Sequence, residues 1–355
     1  MTERPFNFSA GPAILPTAVF ERTAAAVHTL NVPGDTSLES RLSILEISHR
    51  SKTYETIHEE AIGLCHEVLG VPRGYAVLFV QGGASQQFAM VPMNLRQEGR
   101  PAAYIDTGVW STKAIEESRP LGATEVVASS KDSNYDRIPA LPERERYAGA
   151  SYLHVTSNNT IYGTEWAEIP DAGDVPLVVD LSSNIGARPM ALDRVALGYA
   201  GAQKNLGPSG VTLVWMHKDA LAEKVPPGVP VFLRYGTHAD AGSLYNTPNT
   251  FGTLVLKLVL EWMRDKGGVE AAGVRNQAKA DLLYTTLDAS SLYVAHAKPG
   301  SRSRMNVTWT LNGAPEAERE AVTKRFVTQA EAAGFSGIKG HRSVGGCRAS
   351  IYNAF

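Results

Sequence analysis

Ile57, Ala61, Leu64, Val68 and Leu69 recur at the spacing of one helix face, and Gly70 and Pro72 close the stretch. The pattern predicts a helix over 51–69, preceded by another over 18–30. Beyond Gly70 the texture changes to short apolar runs at 76–80, 102–106, 125–128, 152–155, 177–180, 197–200 and 212–216. Helical stretches such as 85–95 and 111–121 separate them. Runs without polar alternation suit strands buried on both faces, each reaching the next through a crossover. The expectation is an α/β fold with a mostly parallel, seven-stranded sheet covered by helices.

After Pro248 the pattern changes again. Long helices are predicted over 251–264 and 269–287, then an alternating strand at 305–310, a helix at 316–333 and a strand at 349–352. That order predicts a smaller C-terminal α+β domain. We therefore divide the chain into an N-terminal arm (1–15), a large domain (16–255) and a small domain (256–355).

Composition changes this picture little. Hydrophobic residues make 43% of the 355 and charged ones 20%, the balance of a globular chain able to bury a core. The formal net charge of −2 offers no basic stripe for nucleic acid or acidic lipid, and no apolar stretch is long enough to span a bilayer. Cys65 and Cys347 are too few for a metal site or disulfide framework and read as small buried hydrophobes. The start MTERPFNFSAGPAIL lacks a charged region followed by an apolar run, so no signal peptide is expected and the location is read as cytoplasmic.

Candidate chemistry follows from where polar residues fall past strand ends, since ligands gather there in open α/β sheets. Val80 leads into Gly82-Gly83-Ala84-Ser85 at a helix start, a place where free N–H groups suit phosphate. A Gly-Gly turn before a helix is also common without any ligand. The loop lacks the Gly-Lys-Ser/Thr of a nucleotide-hydrolysing P-loop. The run 177–180 ends on Asp180, a buried acid that needs a partner or a proton. Lys204 lies 24 positions on, in a turn of small residues after the next strand. Alone it reads as a surface lysine; desolvated beside an acid, it becomes a nucleophile toward an aldehyde.

At this point the chain resembles the class V aminotransferases, fold-type-I enzymes that depend on pyridoxal phosphate. Within them it is most similar to the phosphoserine aminotransferase family. The segments that carry the likeness are NFSAGPA (7–13), SHRS (48–51), FVQGG (79–83), TSNNT (156–160), YAGAQKNLGP (199–208), YNTP (245–248) and KGHRSVGGCRASIYN (339–353).

The resemblance implies roles position by position. Lys204 would bind the cofactor and shuttle the proton at the substrate's α-carbon, and Asp180 would keep the pyridine nitrogen protonated. Trp110 would stack on the ring and Thr160 would hydrogen-bond near it. Ala84, Ser85 and Gln203 would hold the cofactor phosphate, joined by Asn246 and Thr247 from a second subunit, which implies a homodimer with shared sites. Arg348 would clamp the α-carboxylate, with Ser9 nearby. His49, Arg50, His341 and Arg342 would receive the substrate phosphate or glutamate's distal carboxylate, although such pairs can also be solvated surface charge. The implied substrates are glutamate and phosphoserine with their keto acids, a step of serine biosynthesis. The family also uses a four-carbon phosphorylated keto acid of vitamin B6 synthesis.

Three departures stand against the family pattern. Ser85 replaces an arginine found in some members, the loop 32–45 is longer than expected, and members continue past Phe355 with a further helix. Rival readings fit less well. A glyoxylate-type aminotransferase has little use for the His-Arg pairs, a relic without activity would not keep Lys204, Asp180, Trp110 and Arg348 together, and Gly207-Pro208-Ser209-Gly210 is no nucleophile elbow.

Overall fold

A computed structural model describes residues 4–222, 225–312 and 315–355; residues 1–3 of the expected arm lie outside it. Each of the seven apolar runs forms a strand, and all seven share one sheet. Its order is Tyr75–Val80, Thr212–His217, Leu197–Gly201, Leu177–Asp180, Leu153–Thr156, Ala102–Asp106, Thr124–Ser129. Thr212–His217 is antiparallel to both neighbours, and the five strands beyond it run parallel.

The absence of alternation now has its cause. Along Tyr75–Val80, Tyr75, Val77 and Phe79 enter one core, while Leu78 and Val80 enter the core on the opposite face. In Leu177–Asp180 the same split separates Leu177 and Val179 from Val178. Side chains of a strand alternate between faces, so a sheet covered on both sides demands apolar residues at every position. Helices Lys52–Val68 and Thr250–Asp265 contribute to the first core, and Gly83–Leu95 and Val109–Ser118 to the second.

Helix ends follow local chemistry. Ser51 caps Lys52–Val68 by accepting from Tyr54 N at 3.2 Å, and Asn249 caps Thr250–Asp265 by accepting from Gly252 N at 2.8 Å. Thr250–Asp265 is continuous through residue 255, and its buried residues Leu254 to Met263 pack with the large sheet. The long loop 32–45 is tied down: Asp35 accepts from Ser37 N at 2.8 Å and from Thr53 Oγ1 at 2.5 Å.

The C-terminal part holds an antiparallel sheet ordered Tyr293–Ala295, Asn306–Leu311, Cys347–Ser350, packed on helices Gly268–Asp288 and Arg319–Ala332. Two expectations shift here. The last strand lies at Cys347–Ser350 rather than 349–352, because Cys347 already pairs with Trp309 and the last ladder pair is Ser350 with Asn306. The helix over 316–333 begins as a 3₁₀ turn, Glu316–Glu318, before Arg319–Ala332. The arm joins this sheet's neighbourhood: Phe6–Asn7 pairs in parallel with Phe335–Ser336, and the Phe8 ring lies 4.4 Å from that of Phe355. Both cysteines are buried and free.

Candidate active site

Three neighbouring parallel strands end in one row, with Thr156, Asp180 and Tyr199 as register partners. The loops after them supply Thr160, Asp180 with Ser182, and Gln203 with Lys204. They open on a cavity of about 320 Å³. Its walls also hold Gly83, Ala84 and Ser85 from a helix start, Trp110 from another, Ala10 and Gly11 from the arm, Ile161, and His341 and Arg348 from the C-terminal part. The strand ends therefore gather the chemistry, as expected of an open α/β sheet.

Asp180 is buried, and burial raises its pKa above the usual carboxylate range; the charge of Lys204 and two bonds from Ser182 oppose that shift. Ser182 N donates to Asp180 Oδ1 at 2.9 Å, while Ser182 Oγ accepts from Gly201 N at 3.1 Å. Lys204 Nζ donates to Thr160 Oγ1 at 2.7 Å and lies 5.4 Å from the centre of the Trp110 ring. Burial pulls the Lys204 pKa down to about 8, with Arg348 pushing the same way and Asp180 opposing. A lysine so placed has a neutral amine within reach of ordinary pH.

Arg348 and His341 complete the lining. Arg348 NH1 donates to Thr160 O at 3.4 Å, and its Nε is buried without a partner. His341 is held below the usual histidine range by burial, then by the charges of Arg348, Arg342 and Lys113. The indole Nε1 of Trp110 is likewise buried and unpartnered. Helix Gly83–Leu95 follows Gly82, whose φ of +85° is left-handed and suits glycine; its first N–H groups have no intrahelical acceptor.

These features fit pyridoxal phosphate. The helix start at Gly83–Ser85 suits a phosphate, the Trp110 face suits a flat ring, Asp180 suits a protonated ring nitrogen, and Lys204 suits an aldehyde. One buried acid against several cations also suits an anionic substrate.

Of the residues singled out in the sequence, Ala84, Ser85, Trp110, Thr160, Asp180, Gln203, Lys204, His341 and Arg348 line this cavity. Ser9 does not line it but packs one residue before Ala10, against Gly337. Arg342 is exposed and lines an outer groove of about 730 Å³ that shares His341 with the cavity. His49 is buried and Arg50 exposed ahead of helix Lys52–Val68, outside the cavity. Asn246 and Thr247 also lie outside its lining, with Thr247 O accepting from Gln81 Nε2 at 3.4 Å. Ser182 was missed, although a serine two positions after an aspartate is a recognisable turn signal. Lys113, which adds its charge near His341 and sits 5.1 Å from the Trp110 ring, carried no signal.

Comparison with known proteins narrows the chemistry. A family model described as aminotransferase class-V matches residues 5–355. The phosphoserine aminotransferase of Geobacillus kaustophilus is 51% identical over 99% of this chain and 94% of its own. A solved phosphoserine aminotransferase from Bacillus circulans subsp. alkalophilus superposes with a TM-score of 0.90 at 46% identity, covering 99% of this chain and 94% of that one. A crystal structure of a pyridoxal-phosphate-bound phosphoserine aminotransferase from Trichomonas vaginalis gives a TM-score of 0.90 at 35% identity, over 99% and 96% of the two chains. Among the described residues no helix is long and apolar enough to cross a membrane. A likeness that runs through the whole chain, and a cavity built for the cofactor, place this protein in the class V aminotransferase family as a pyridoxal-phosphate-dependent transaminase of fold type I.

Proposed function

We propose that this chain transfers an amino group reversibly between glutamate and 3-phosphohydroxypyruvate, yielding 2-oxoglutarate and O-phospho-L-serine. The observation that carries the reading is a single cavity that brings Asp180 and Lys204 together with Arg348 and His341. The relatives named phosphoserine aminotransferase, about half identical over almost the whole chain, support the same substrate class.

When bound, pyridoxal phosphate supplies an aldehyde that combines with amines and a ring that accepts the electron pair released at the substrate's α-carbon. The rest is work for this chain. Lys204 would hold the cofactor and is placed to take and return the proton at the substrate's α-carbon. Asp180 keeps the ring nitrogen protonated, and Ser182 fixes the direction of its carboxylate. Trp110 supports the ring face and Thr160 meets its edge. Ala84, Ser85 and Gln203 hold the phosphate. Arg348 receives the α-carboxylate in a two-pronged contact beside Ser9, and His49, Arg50, His341 and Arg342 receive the second anionic group. The four-carbon phosphorylated keto acid of vitamin B6 synthesis is a second acceptor compatible with the same anion site.

The reading includes a homodimer with shared active sites and a cytoplasmic location. Its support is the set left outside the single-chain cavity. His49, Arg50, Asn246 and Thr247 belong to segments that meet where Thr250 Oγ1 donates to Ile44 O at 3.4 Å. Leu45 and Tyr245, large apolar side chains of those segments, are exposed. The arm of residues 1–15, the cofactor-binding unit of 16–255 and the smaller unit of 256–355 complete the proposal, the two units sharing helix Thr250–Asp265.

An absorbance titration of the holoenzyme tests the substrate assignment. The cofactor's visible band is expected to bleach with glutamate and to return with 3-phosphohydroxypyruvate. Return with glyoxylate or pyruvate alone would overturn it.

A further inference from the structure

Asp106 ends the strand Ala102–Asp106, is 7% exposed, and lies outside the cavity lining. It forms no ion pair among the described residues. Instead four hydroxyls converge on it: Oδ1 accepts from Ser111 Oγ at 2.9 Å and Thr112 Oγ1 at 3.1 Å, and Oδ2 from Ser129 Oγ at 3.2 Å and Tyr135 OH at 3.0 Å. Four hydroxyls thus surround one carboxylate, and two of them, Ser111 Oγ and Thr112 Oγ1, each divide a single proton between it and Gly108 O, at 2.8 and 3.0 Å from that oxygen. Two of them stand one and two residues past Trp110, on the first turn of Val109–Ser118.

The same cluster fixes the turn that precedes Trp110. Ser111 Oγ accepts from Thr107 N at 2.9 Å and Gly108 N at 3.0 Å. Gly108 is pressed against Tyr162 and Asn159; a Cβ there would meet Tyr162 Cδ2 at 3.0 Å and Asn159 Oδ1 at 3.1 Å. The fourth donor belongs to the apolar bed on which Trp110 packs. The Tyr135 ring lies 4.8 Å from that of Tyr162, and Tyr135, Ile161 and Tyr162 form the apolar cluster against which Val109, Trp110 and Val344 pack.

We propose that Asp106 is a positioning residue that sets Trp110 for the cofactor ring, gripping its helix turn through Ser111 and Thr112 and its packing bed through Tyr135. The proposal rests on reading Trp110 as the ring's platform. A buried carboxylate serving stability alone has no need for partners that converge on one neighbouring indole. This one has them in the indole's own helix turn and in its packing bed.

The test is a double-mutant cycle read by titrating pyridoxal phosphate into apoenzyme, following cofactor absorbance and its induced circular dichroism. Asp106→Ala is expected to weaken cofactor binding about tenfold, the size of one lost hydrogen-bonded grip on a charged group. Asp106→Asn, whose amide can still meet hydroxyls, restores most of the affinity. In a Trp110→Ala background, Asp106→Ala adds less than about twofold. Equal losses in both backgrounds, or no loss in the parent, would overturn the proposal. Should Trp110→Ala itself leave affinity unchanged, the platform reading falls instead. If Asp106→Ala does not fold, Ser111→Ala and Tyr135→Phe each cut one arm of the grip and face the same comparison.

Discussion

Lys204 Nζ donates to Thr160 Oγ1 at 2.7 Å, joining two loops that leave the sheet on either side of the strand ending in Asp180. The strand that ends in Asp180 thus lies between the two whose loops carry Thr160 and Lys204, and all three run parallel. Burial works against charge on both ionisable groups: it raises the pKa of Asp180 and lowers that of Lys204. Such tuning brings the Lys204 amine toward its neutral form beside a buried acid at the cavity wall.

Replacing Lys204 is therefore expected to remove transamination while sparing the fold. Lys204→Arg keeps the positive charge but cannot offer a neutral amine at accessible pH. Loss of proton transfer alone lowers turnover by about 10²–10⁴-fold. Stopped-flow assays of both half-reactions, alongside thermal unfolding, check this; a variant retaining more than a tenth of parent turnover would remove Lys204 from the chemistry.

Cofactor capture by the apoenzyme follows the same group. Below about 8 the Lys204 side chain carries a proton and has no lone pair to offer; above it the amine is free. The capture rate is expected to rise about tenfold per pH unit up to that point and then level. A rate that is flat between pH 6 and 9 would show that another step controls capture.

Much of this site is legible in the chain before any coordinates. Seven apolar runs without alternation point to strands of a covered sheet, and the end of one such run, Asp180, falls where the structure puts it. The edge strand Thr124–Ser129 is the exception, with Glu125 and Val126 exposed. Asp180, Lys204 and Trp110 stand just past strand ends, so topology alone assembles them. What escaped is what depends on distant chain. The pairing of Phe6–Asn7 with Phe335–Ser336 involves two residues on each side and has no local pattern. The last strand runs from Cys347 to Ser350, not from 349 to 352, because its start is fixed by pairing with Trp309 and its end gives way to the Tyr352 hydroxyl reaching Ala10 O, contacts no periodicity encodes. Asp106 reads as any strand-end acid, since its partners at 129 and 135 stand at the end of the next strand and in the loop after it.

Arg348 offers a prediction that separates binding from chemistry. Its guanidinium is partly buried at the cavity wall, with Nε unpartnered and ready to meet a carboxylate. Arg348→Lys keeps the charge but loses the planar fork. KM for glutamate is expected to rise about 10–100-fold, in keeping with the ~1.5–3 kcal/mol of a hydrogen bond to a charged group. Cofactor affinity should stay near the parent value. An equal loss of cofactor would mean that Arg348 serves the ring rather than the substrate.

If sites are shared between subunits, two inactive variants should repair each other. Lys204→Ala disables the cavity of its own chain, whereas Asn246→Ala combined with Thr247→Ala disables the partner's. Mixed dimers then contain one site with both sets intact, so about a quarter of parent activity is expected after refolding an equal mixture. No recovery in mixtures shown to exchange subunits would place Asn246 and Thr247 in their own chain's site, or in none.

Acid stability should depend on a histidine far from the chemistry. His154 is buried in the central sheet, its Nε2 paired with Tyr199 OH at 2.8 Å and its Nδ1 without a partner. Burial pushes its pKa down to about 3. The unfolded chain takes up that proton near pH 6.5 and the folded one does not. Stability is then complete above 6.5 and falls by about 1.4 kcal/mol per pH unit as the pH drops from there toward 3. His58 and His296, also held low by burial, lean the same way, so the parent slope exceeds one proton. His154→Gln can keep a bond to Tyr199 while removing the titration. It should cost about 1–3 kcal/mol at pH 8 yet flatten the fall between pH 6 and 4 by one proton. Urea unfolding of the apoenzyme across that range measures the slope directly; an unchanged slope would mean that His154 takes up its proton without leaving the sheet.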